Sequence, residues 1–217
     1  MEPGKRRHIP SEAEILDAAL ALLDAGGPAA VTIRGTAAAI GVAANAVYTY
    51  FADKAALHHA LIERMLELPD KITGADDWRS EVEQLALELR RRLVAHPGAV
   101  PLLLGGPMEG AGPWRLGERL LALLAEGGLG AAAAARGSYA VMVFVLGSIA
   151  LEVADVPGAG ALPPEAERVD ARRAALSAVP VGAYPRTAAV AGVIATWVGT
   201  EQFCWGLRRL LDGLSPS

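Results

Sequence analysis

Apolar residues recur at helical spacing along most of the chain, and short breaks rich in Gly and Pro separate the segments. Ser11 and Glu14 form a capping-box pattern at the start of the first segment, and residues 26–28 (Gly-Gly-Pro) end it. The apolar face of this segment consists of Ile15, Ala18, Ala19, Leu22 and Leu23. The pattern predicts one amphipathic helix.

Three shorter helices are predicted to follow. Thr32 is a candidate N-cap of the second helix, which extends to about residue 40, where Gly41 breaks it. The third helix covers about residues 43–51. Asp53 can cap a fourth helix over residues 53–68, which would connect the N-terminal part of the chain to the rest.

The remaining segments are also helical in pattern, at residues 78–96, 114–125, 129–154, 165–178 and 186–214. The segment 129–154 is almost wholly apolar, which in a soluble protein implies burial on more than one side. No segment shows the alternation typical of a β-strand. The predicted fold class is all-α, with a three-helix domain at residues 1–57, a connecting helix at 53–68 and a larger helical bundle at 69–217.

Composition narrows the class of protein. Hydrophobic residues make up 53% of the chain and charged residues 20%, which is typical of a folded soluble protein. Cys204 is the single cysteine, which excludes an internal disulfide framework and a multi-cysteine zinc site. The uncharged run 137–151 is shorter than the roughly 18–20 residues of a membrane span, and no secretory signal opens the chain. We therefore expect a cytoplasmic protein without a membrane anchor.

Residues 32–57 combine features of a helix-turn-helix. Gly41 tolerates the positive φ of a tight turn, and Val42 and Val47 supply branched apolar side chains between the two helices. The segment TIRGTAAAIGVAANAVYTYFADKAAL resembles the signature of TetR-type transcriptional regulators. Thr36 departs from that signature, because the family usually has a core leucine there. Ala43 and Ala44 stand where the family often has polar residues.

The resemblance extends over nearly the whole chain. RRLVAHPGAVPLL, FVLGSIALE and TEQFCWGLRRLLDGL are similar to segments of the tetracycline-repressor-type regulatory domain. The resemblance implies a homodimeric repressor that binds a palindromic double-stranded DNA operator. A small-molecule effector bound in the bundle would tilt the fourth helix and change the spacing of the two DNA-binding domains, which must match major grooves about 34–36 Å apart.

The resemblance also implies roles for individual residues. Lys54 and Tyr48 match phosphate-contacting positions, which orient the protein on DNA without reading its sequence. Arg34 matches a position that can reach a base or a phosphate, or can pair with a carboxylate of the first helix. Tyr50 either reaches the DNA backbone or packs on the first helix. Thr32 caps a helix whose N-terminus can also bind phosphate.

Few side chains in the third helix can read bases. The amide of Asn45 can pair with N6 and N7 of adenine, and Thr49 lies one helical turn later on the same face. Ala44, with Ala43 and Ala46, can contact thymine methyl groups or allow a close approach of the helix. A short basic arm that could follow DNA, or could equally be a solvated tail, consists of Lys5, Arg6 and Arg7.

The bundle contains large, soft side chains that could hold an apolar or aromatic effector, although each of them taken singly is more readily ordinary core. The candidate ligand-binding residues are Trp78, His96, Met108, Trp114, Tyr139 and Met142. The candidate dimer-interface residues on two helices are Gly147, Leu151, Phe203, Gly206, Leu207 and Leu210. No cofactor is expected. A metal site is not expected either, because adjacent His58 and His59 point to different faces of a helix and no HExxH spacing exists.

Two other classes of function stay open at this point. An all-α enzyme is the weaker alternative, because the chain has no Ser/His/Asp or Cys/His signature, no P-loop and no paired-carboxylate motif. A small-molecule-binding or protein-interaction module with weakened DNA reading is suggested by the alanines of the third helix and by the nearly neutral first 60 residues.

Overall fold

The computed structural model of the protein describes residues 9–69, 75–156 and 160–214. All regular elements in these ranges are α-helices, which agrees with the predicted all-α class. The N-terminal four are α1 (Glu12–Ala30), α2 (Ile33–Ala39), α3 (Ala44–Tyr48) and α4 (Lys54–Met65). The others are α5 (Trp78–Ala95), α6 (Ala99–Leu104), α7 (Ala111–Glu126), α8 (Ala131–Ala154), α9 (Glu165–Ser177), α10 (Pro185–Ala189), α11 (Ala191–Ala195) and α12 (Thr200–Gly213). The basic arm of Lys5, Arg6 and Arg7 lies outside the described residues.

The capping box at the start of α1 is formed as predicted. Ser11 donates its backbone N–H to Glu14 Oε2 at 2.8 Å, and Glu14 donates its own N–H to Ser11 Oγ at 3.2 Å. The helix does not end at residues 26–28 as expected. Gly27 takes a φ of +68°, which kinks the chain, and helical backbone resumes through Ala30. Proline fits there because it occupies the first turn after the kink.

One continuous hydrophobic core joins the N-terminal helices to the bundle. Helix α6 lies between them and packs on α1, α4 and α8, while α5, α7, α8 and α12 pack on one another. The contact with α1 is close at Gly98, immediately before α6. A Cβ atom at Gly98 would collide with the backbone carbonyl of Leu23. The N-terminal helices are thus seated on the bundle by backbone contact as well as by side chains.

The final long helix predicted over residues 186–214 is wrong. The chain forms α10, α11 and α12 there, with a break at Gly199. Glu165, from the start of α9, accepts the backbone N–H of Thr200 at 2.9 Å and its hydroxyl at 2.7 Å. A carboxylate at this place satisfies an otherwise unpaired N–H of α12 and interacts favourably with its dipole. The break is therefore stabilised by a residue 35 positions earlier in the sequence.

Helix α8 is buried against α5, α6, α7 and α12, but one face remains exposed in the protomer. That face, the α8 stripe, consists of Tyr139, Val143, Gly147 and Leu151 at four-residue spacing. Among the described residues, α8 is the one helix that is long and apolar enough to cross a membrane. One such helix is weak support for a membrane span, since a bundle's core helix has the same properties.

Replacing Gly98 by Ala should destabilise the protein by about 1–3 kcal/mol, because the new methyl group meets backbone that cannot rotate away. Gly117→Ala is the matched control: Gly117 lies inside α7 with no atom near the place that a Cβ would take, so alanine should stabilise by about 0.5–1 kcal/mol. Thermal denaturation followed by circular dichroism measures both. Equal melting temperatures for the two variants would contradict the close approach.

Candidate DNA-binding site and its connection to the bundle

The turn between α2 and α3 depends on the backbone of Gly41. Its φ is +73°, and no atom lies within 4 Å of a Cβ built on it, so the requirement is conformational rather than one of space. Gly41 donates its N–H to the carbonyl of Ala38 at 3.2 Å, and Val42 donates to that of Ala37 at 3.0 Å. These bonds fix the angle between the two helices.

The small core beneath this turn is apolar except for one hydroxyl. Val47 is fully buried and Phe51 is 5% exposed, so both are core residues, and α3 packs on α2. Thr36 is also fully buried, and its Oγ1 has no hydrogen-bond partner. Threonine therefore places an unsatisfied polar atom where the family signature has leucine.

The polar residues predicted to meet DNA are at the surface. Thr32, Arg34 and Asn45 are exposed, and Thr32 also caps α2 by accepting the Gly35 N–H at 2.9 Å. Thr49 is exposed, and its hydroxyl donates to the carbonyl of Asn45 at 3.0 Å. Its oxygen keeps lone pairs, so towards a base it is an acceptor while this bond persists.

The predicted base-contacting methyl group of Ala44 is only partly available. Ala44 is half-buried and packs against the hydrophobic core. Ala43 precedes the helix as its N-cap residue and makes no side-chain capping bond. Asn45 is thus the exposed side chain of the α3 N-terminal turn with both donor and acceptor groups.

The two tyrosines and the lysine at the end of the motif have different surroundings. Tyr48 is 49% exposed, and Lys54 is exposed as the first residue of α4, where the Asp53 side chain caps the helix by accepting the Ala56 N–H at 2.8 Å. Tyr50 donates its hydroxyl to the carbonyl of Pro10 at 2.9 Å. Of its two predicted roles, this geometry shows the contact with the first helix, at the residues just before α1, and Tyr50 remains 41% exposed.

Helix α4 is tied to the bundle through Glu63. Its Oε2 accepts the backbone N–H of Gly112, in the first turn of α7, at 2.6 Å, and lies 3.4 Å from the guanidinium of Arg115. His59 lies one turn earlier on α4, 3.6 Å from Glu63. A Cβ at Gly110 or Gly112 would lie within 3 Å of these side chains. The glycines therefore let the α7 N-terminus sit directly on α4.

His96 makes a second connection. Its Nδ1 lies 2.9 Å from Oδ2 of Asp24 on α1. This candidate ligand-binding residue at the end of α5 thus contacts the N-terminal helices. Among the described residues, no cluster of three His, Cys, Asp or Glu side chains could hold a metal ion.

The other candidate ligand-binding residues are spread over the bundle and do not line one shared cavity in the described part of the chain. Trp114 and Tyr139 are exposed, at 65% and 73%. Met108 and Met142 are half-buried against the core, and Met142 borders a void of only 10 Å³ between α5, α7 and α8. Trp78 is half-buried beside Gly127 and under the guanidinium of Arg79.

The candidate dimer-interface residues separate into three pairs that differ in exposure. Gly147 and Leu151 are exposed on the α8 stripe, with Leu151 71% exposed. Phe203 and Leu207 instead face the protomer's own core, at 4% and 0% exposure, because their i, i+4 positions on α12 face α5 and α8. The half-buried pair on α12 consists of Gly206, against the Phe144 ring, and Leu210.

Two short helices joined by a positive-φ glycine, with a polar amide and a lysine exposed beside them, define a helix-turn-helix protein of the DNA-binding class. Comparison with known proteins identifies the family. Residues 15–61 match the bacterial regulatory proteins of the tetR family, and residues 68–216 match the tetracyclin repressor-like C-terminal domain. The chain belongs to the tetR family.

Two individual proteins of known class are similar in sequence to this chain. The tetracycline repressor protein class A from transposon 1721 of Escherichia coli is 31% identical over 67% of this chain and 68% of its own length. A helix-turn-helix-type transcriptional regulator of Saccharopolyspora erythraea is 28% identical over 69% of this chain, which spans 64% of that relative.

Solved structures extend the similarity to nearly the full length. A possible TetR family transcriptional regulator from Streptomyces coelicolor is 35% identical, with a TM-score of 0.74 over 94% of this chain and 98% of that one. The Streptomyces coelicolor protein ActR in complex with actinorhodin has the same fold, with a TM-score of 0.74 at 22% identity over 94% of this chain and 95% of that one.

Thr36→Val should stabilise the N-terminal helices by about 1 kcal/mol, since it removes the unsatisfied hydroxyl while keeping the branched shape. Thr49→Val is the control at an exposed threonine whose hydroxyl has a partner, and it should give no such gain. Urea denaturation of both variants measures the difference. A loss of stability in Thr36→Val would show that the hydroxyl has a partner in solution.

Glu63→Ala should loosen the contact between α4 and α7. The amide of Gly112 loses its acceptor, so hydrogen exchange in peptides covering residues 110–116 should accelerate by about tenfold or more. Glu118→Ala, at an exposed position of α7, is the control and should leave the exchange unchanged. Unchanged exchange in Glu63→Ala would mean that the carboxylate does not hold the helix.

Proposed function

We propose that the protein is a homodimeric repressor that binds a palindromic DNA operator and is released by a small-molecule effector. The observation that carries the proposal is the intact helix-turn-helix with Asn45 and Lys54 exposed at the ends of α3 and α4. We propose residues 1–57 as the DNA-binding domain, α4 as its connection and residues 69–217 as the effector and dimerisation domain. The proposed setting is the cytoplasm, with no enzymatic activity.

In this proposal phosphate contacts and base contacts are divided between elements. Lys54, Tyr48 and Arg34 are the exposed groups suited to phosphate, and they set the position of the domain on DNA. Asn45 is suited to adenine and Thr49 to a donor on a neighbouring base. Because few side chains read bases, selectivity also rests on DNA shape and on the fixed distance between the two domains.

The α8 stripe supports a twofold dimer. Tyr139, Val143 and Leu151 are large apolar side chains with more than half of their surface exposed, and Gly147 between them permits close helix approach. Two further exposed aromatic residues are Trp197, just before α12, and Trp205, on α12. Apolar surface of this extent favours burial against a second copy. Phe203 and Leu207, which we expected at this interface, would support it from within the protomer.

The link from effector to DNA is proposed to run through α4. Its C-terminal half is held by Glu63 to α7, while its first residue, Lys54, stands at the DNA-binding end. A ligand that shifts α7 relative to α5 therefore changes the direction of α4. Release requires that the ligand binds the DNA-incompetent arrangement more tightly than the competent one.

Relatives support an effector of small-molecule size. The Escherichia coli relative is named a tetracycline repressor, and ActR, which shares the fold, is seen with actinorhodin. We propose a small molecule with substantial apolar surface for this chain. Because Trp114 and Tyr139 are exposed, we assign them to the protein surface rather than to an enclosed effector site.

The test begins with an operator selected from random duplexes. Lys54→Ala should weaken binding to every sequence and reduce the slope of log affinity against log salt by about one unit for each phosphate that the protein no longer neutralises. Asn45→Ala should instead relax the preference at one base pair in each half-site, by about 1–3 kcal/mol. Fluorescence anisotropy at several salt concentrations measures both.

Arg173→Ala removes an exposed positive charge on α9 and is the control for the loss of charge. It should leave the affinity, its salt dependence and the base preference unchanged. A chain that selects no duplex even at low salt would overturn the proposed function. An unchanged base preference in Asn45→Ala would remove the direct-reading role of that residue alone.

A further inference from the structure

We propose that the cavity between the C-terminal end of α8 and helix α9 binds a small apolar molecule that carries a carboxylate. The inference rests on the proposed function, because it assigns the effector a site and a chemical class. The cavity has a volume of 640 Å³, which is within the range of small-molecule sites. Its walls include Asp155, Val156, Pro163, Ala171, Arg172 and Leu176.

The lining combines apolar surface with two arginine residues. Val156, Pro163 and Leu176 supply aliphatic surface, and Arg168 and Arg172 both contribute to the wall. The side chain of Arg168 is only 4% exposed, and that of Arg172 is 24% exposed. A molecule in this cavity would therefore meet apolar groups over most of its surface, with Arg168 and Arg172 in the surrounding wall.

Arg168 belongs to a buried network of charges. It donates from Nη2 to Glu152 Oε1 at 2.7 Å and from Nε to the carbonyl of Pro163 at 3.1 Å. Glu152 also receives two hydrogen bonds from Arg90, at 2.8 and 2.7 Å. Arg90 continues the network to Thr200 at 2.7 Å. The network joins α5, α8, α9 and α12.

Hydrogen-bond donors are in excess around this cavity. Arg168 Nη1 and Arg172 Nε are buried without a partner, while Arg172 pairs through Nη1 with Asp155. In the described part of the chain, no carboxylate oxygen of Glu152, Glu165 or Asp155 is buried without a partner. The missing partner is therefore an acceptor, and buried donors of this kind are matched in proteins by ligands or ordered water.

A carboxylate fits this requirement best. Its two oxygens match the fork of a guanidinium, and a charge-assisted bond to a buried arginine is stronger than one to a neutral carbonyl. Glu167 also lines the cavity and is exposed, so its negative charge disfavours a doubly charged group such as a phosphate. Because both unpartnered nitrogens have almost no open surface, binding must turn the arginine heads towards the ligand.

Such a turn would affect the helices that support the α8 stripe. Glu152 Oε1 is shared between Arg90 and Arg168, so a ligand that draws Arg168 away leaves Glu152 paired with Arg90 alone. Arg90 in turn holds Thr200 at the start of α12. A second cavity of 330 Å³ shares Asp155 and Arg172 with the first and includes Leu151 of the stripe in its lining. Binding at α9 thus reaches the proposed dimer surface.

The experiment uses 2-naphthoate as the probe and 2-naphthamide as its uncharged counterpart, with isothermal titration calorimetry on the full chain. We expect naphthoate to bind at least about tenfold more tightly than naphthamide, the difference a charge-assisted hydrogen bond gives. Ala171→Trp fills the cavity from α9 without altering a charge and should weaken naphthoate binding by about tenfold or more. Ala174→Trp, exposed on the same helix but outside the lining, should leave it unchanged.

Ala175→Trp, also in the lining, serves as the second cavity variant if Ala171→Trp does not fold as judged by circular dichroism. Equal binding of the two probes, no binding of either, or full binding in a folded cavity variant overturns the assignment. Operator binding without any probe is measured in parallel. If the protein binds no operator in the absence of a probe, the proposed function is overturned. If it binds the operator but does not prefer naphthoate to naphthamide, the cavity assignment alone is overturned.

Discussion

The hydrogen bond from the Gly112 amide to Glu63 joins the N-terminal helices to the bundle, because it holds α7 on α4. It connects the helix that carries Lys54 with the helix that borders the bundle core, and the lack of side chains at Gly110 and Gly112 allows the contact. An N–H in the first turn of a helix has no partner within that helix, so the carboxylate of Glu63 supplies the acceptor that the Gly112 N–H of α7 lacks. The contact at Gly98 and the His96–Asp24 pair then limit how the N-terminal helices can shift on the bundle.

The N-terminal helices are predictable from sequence because local interactions determine them. The capping box of Ser11 and Glu14, the cap at Asp53 and the positive φ of Gly41 each involve residues at most three positions apart. Local patterns therefore predict the helix-turn-helix, whereas the role of Lys54 follows from the resemblance to TetR-type regulators. The kink at Gly27 was not predicted, because a Gly-Gly-Pro break signals the interruption of a helix but not its resumption.

The bundle is less predictable because distant residues decide its details. The break before α12 depends on Glu165, a residue of α9 that accepts the backbone N–H of Thr200. Phe203 and Leu151 are both apolar residues on long helices, yet one fills the core and the other lies at the surface, and only packing separates them. The network of Arg90, Glu152 and Arg168 has no local motif, since its members lie on three helices.

The buried hydroxyl of Thr36 has a consequence for how the protein opens. Helices α2 and α3 together bury only four side chains, so one unsatisfied polar atom among them removes a larger share of the local stability than it would in the bundle. Local unfolding free energies differ between cooperative units of a protein, and the weakest unit opens first. In this chain the unpartnered hydroxyl lowers the free energy needed to open the helix-turn-helix, so we expect heating to loosen α2 and α3 before it unfolds the bundle.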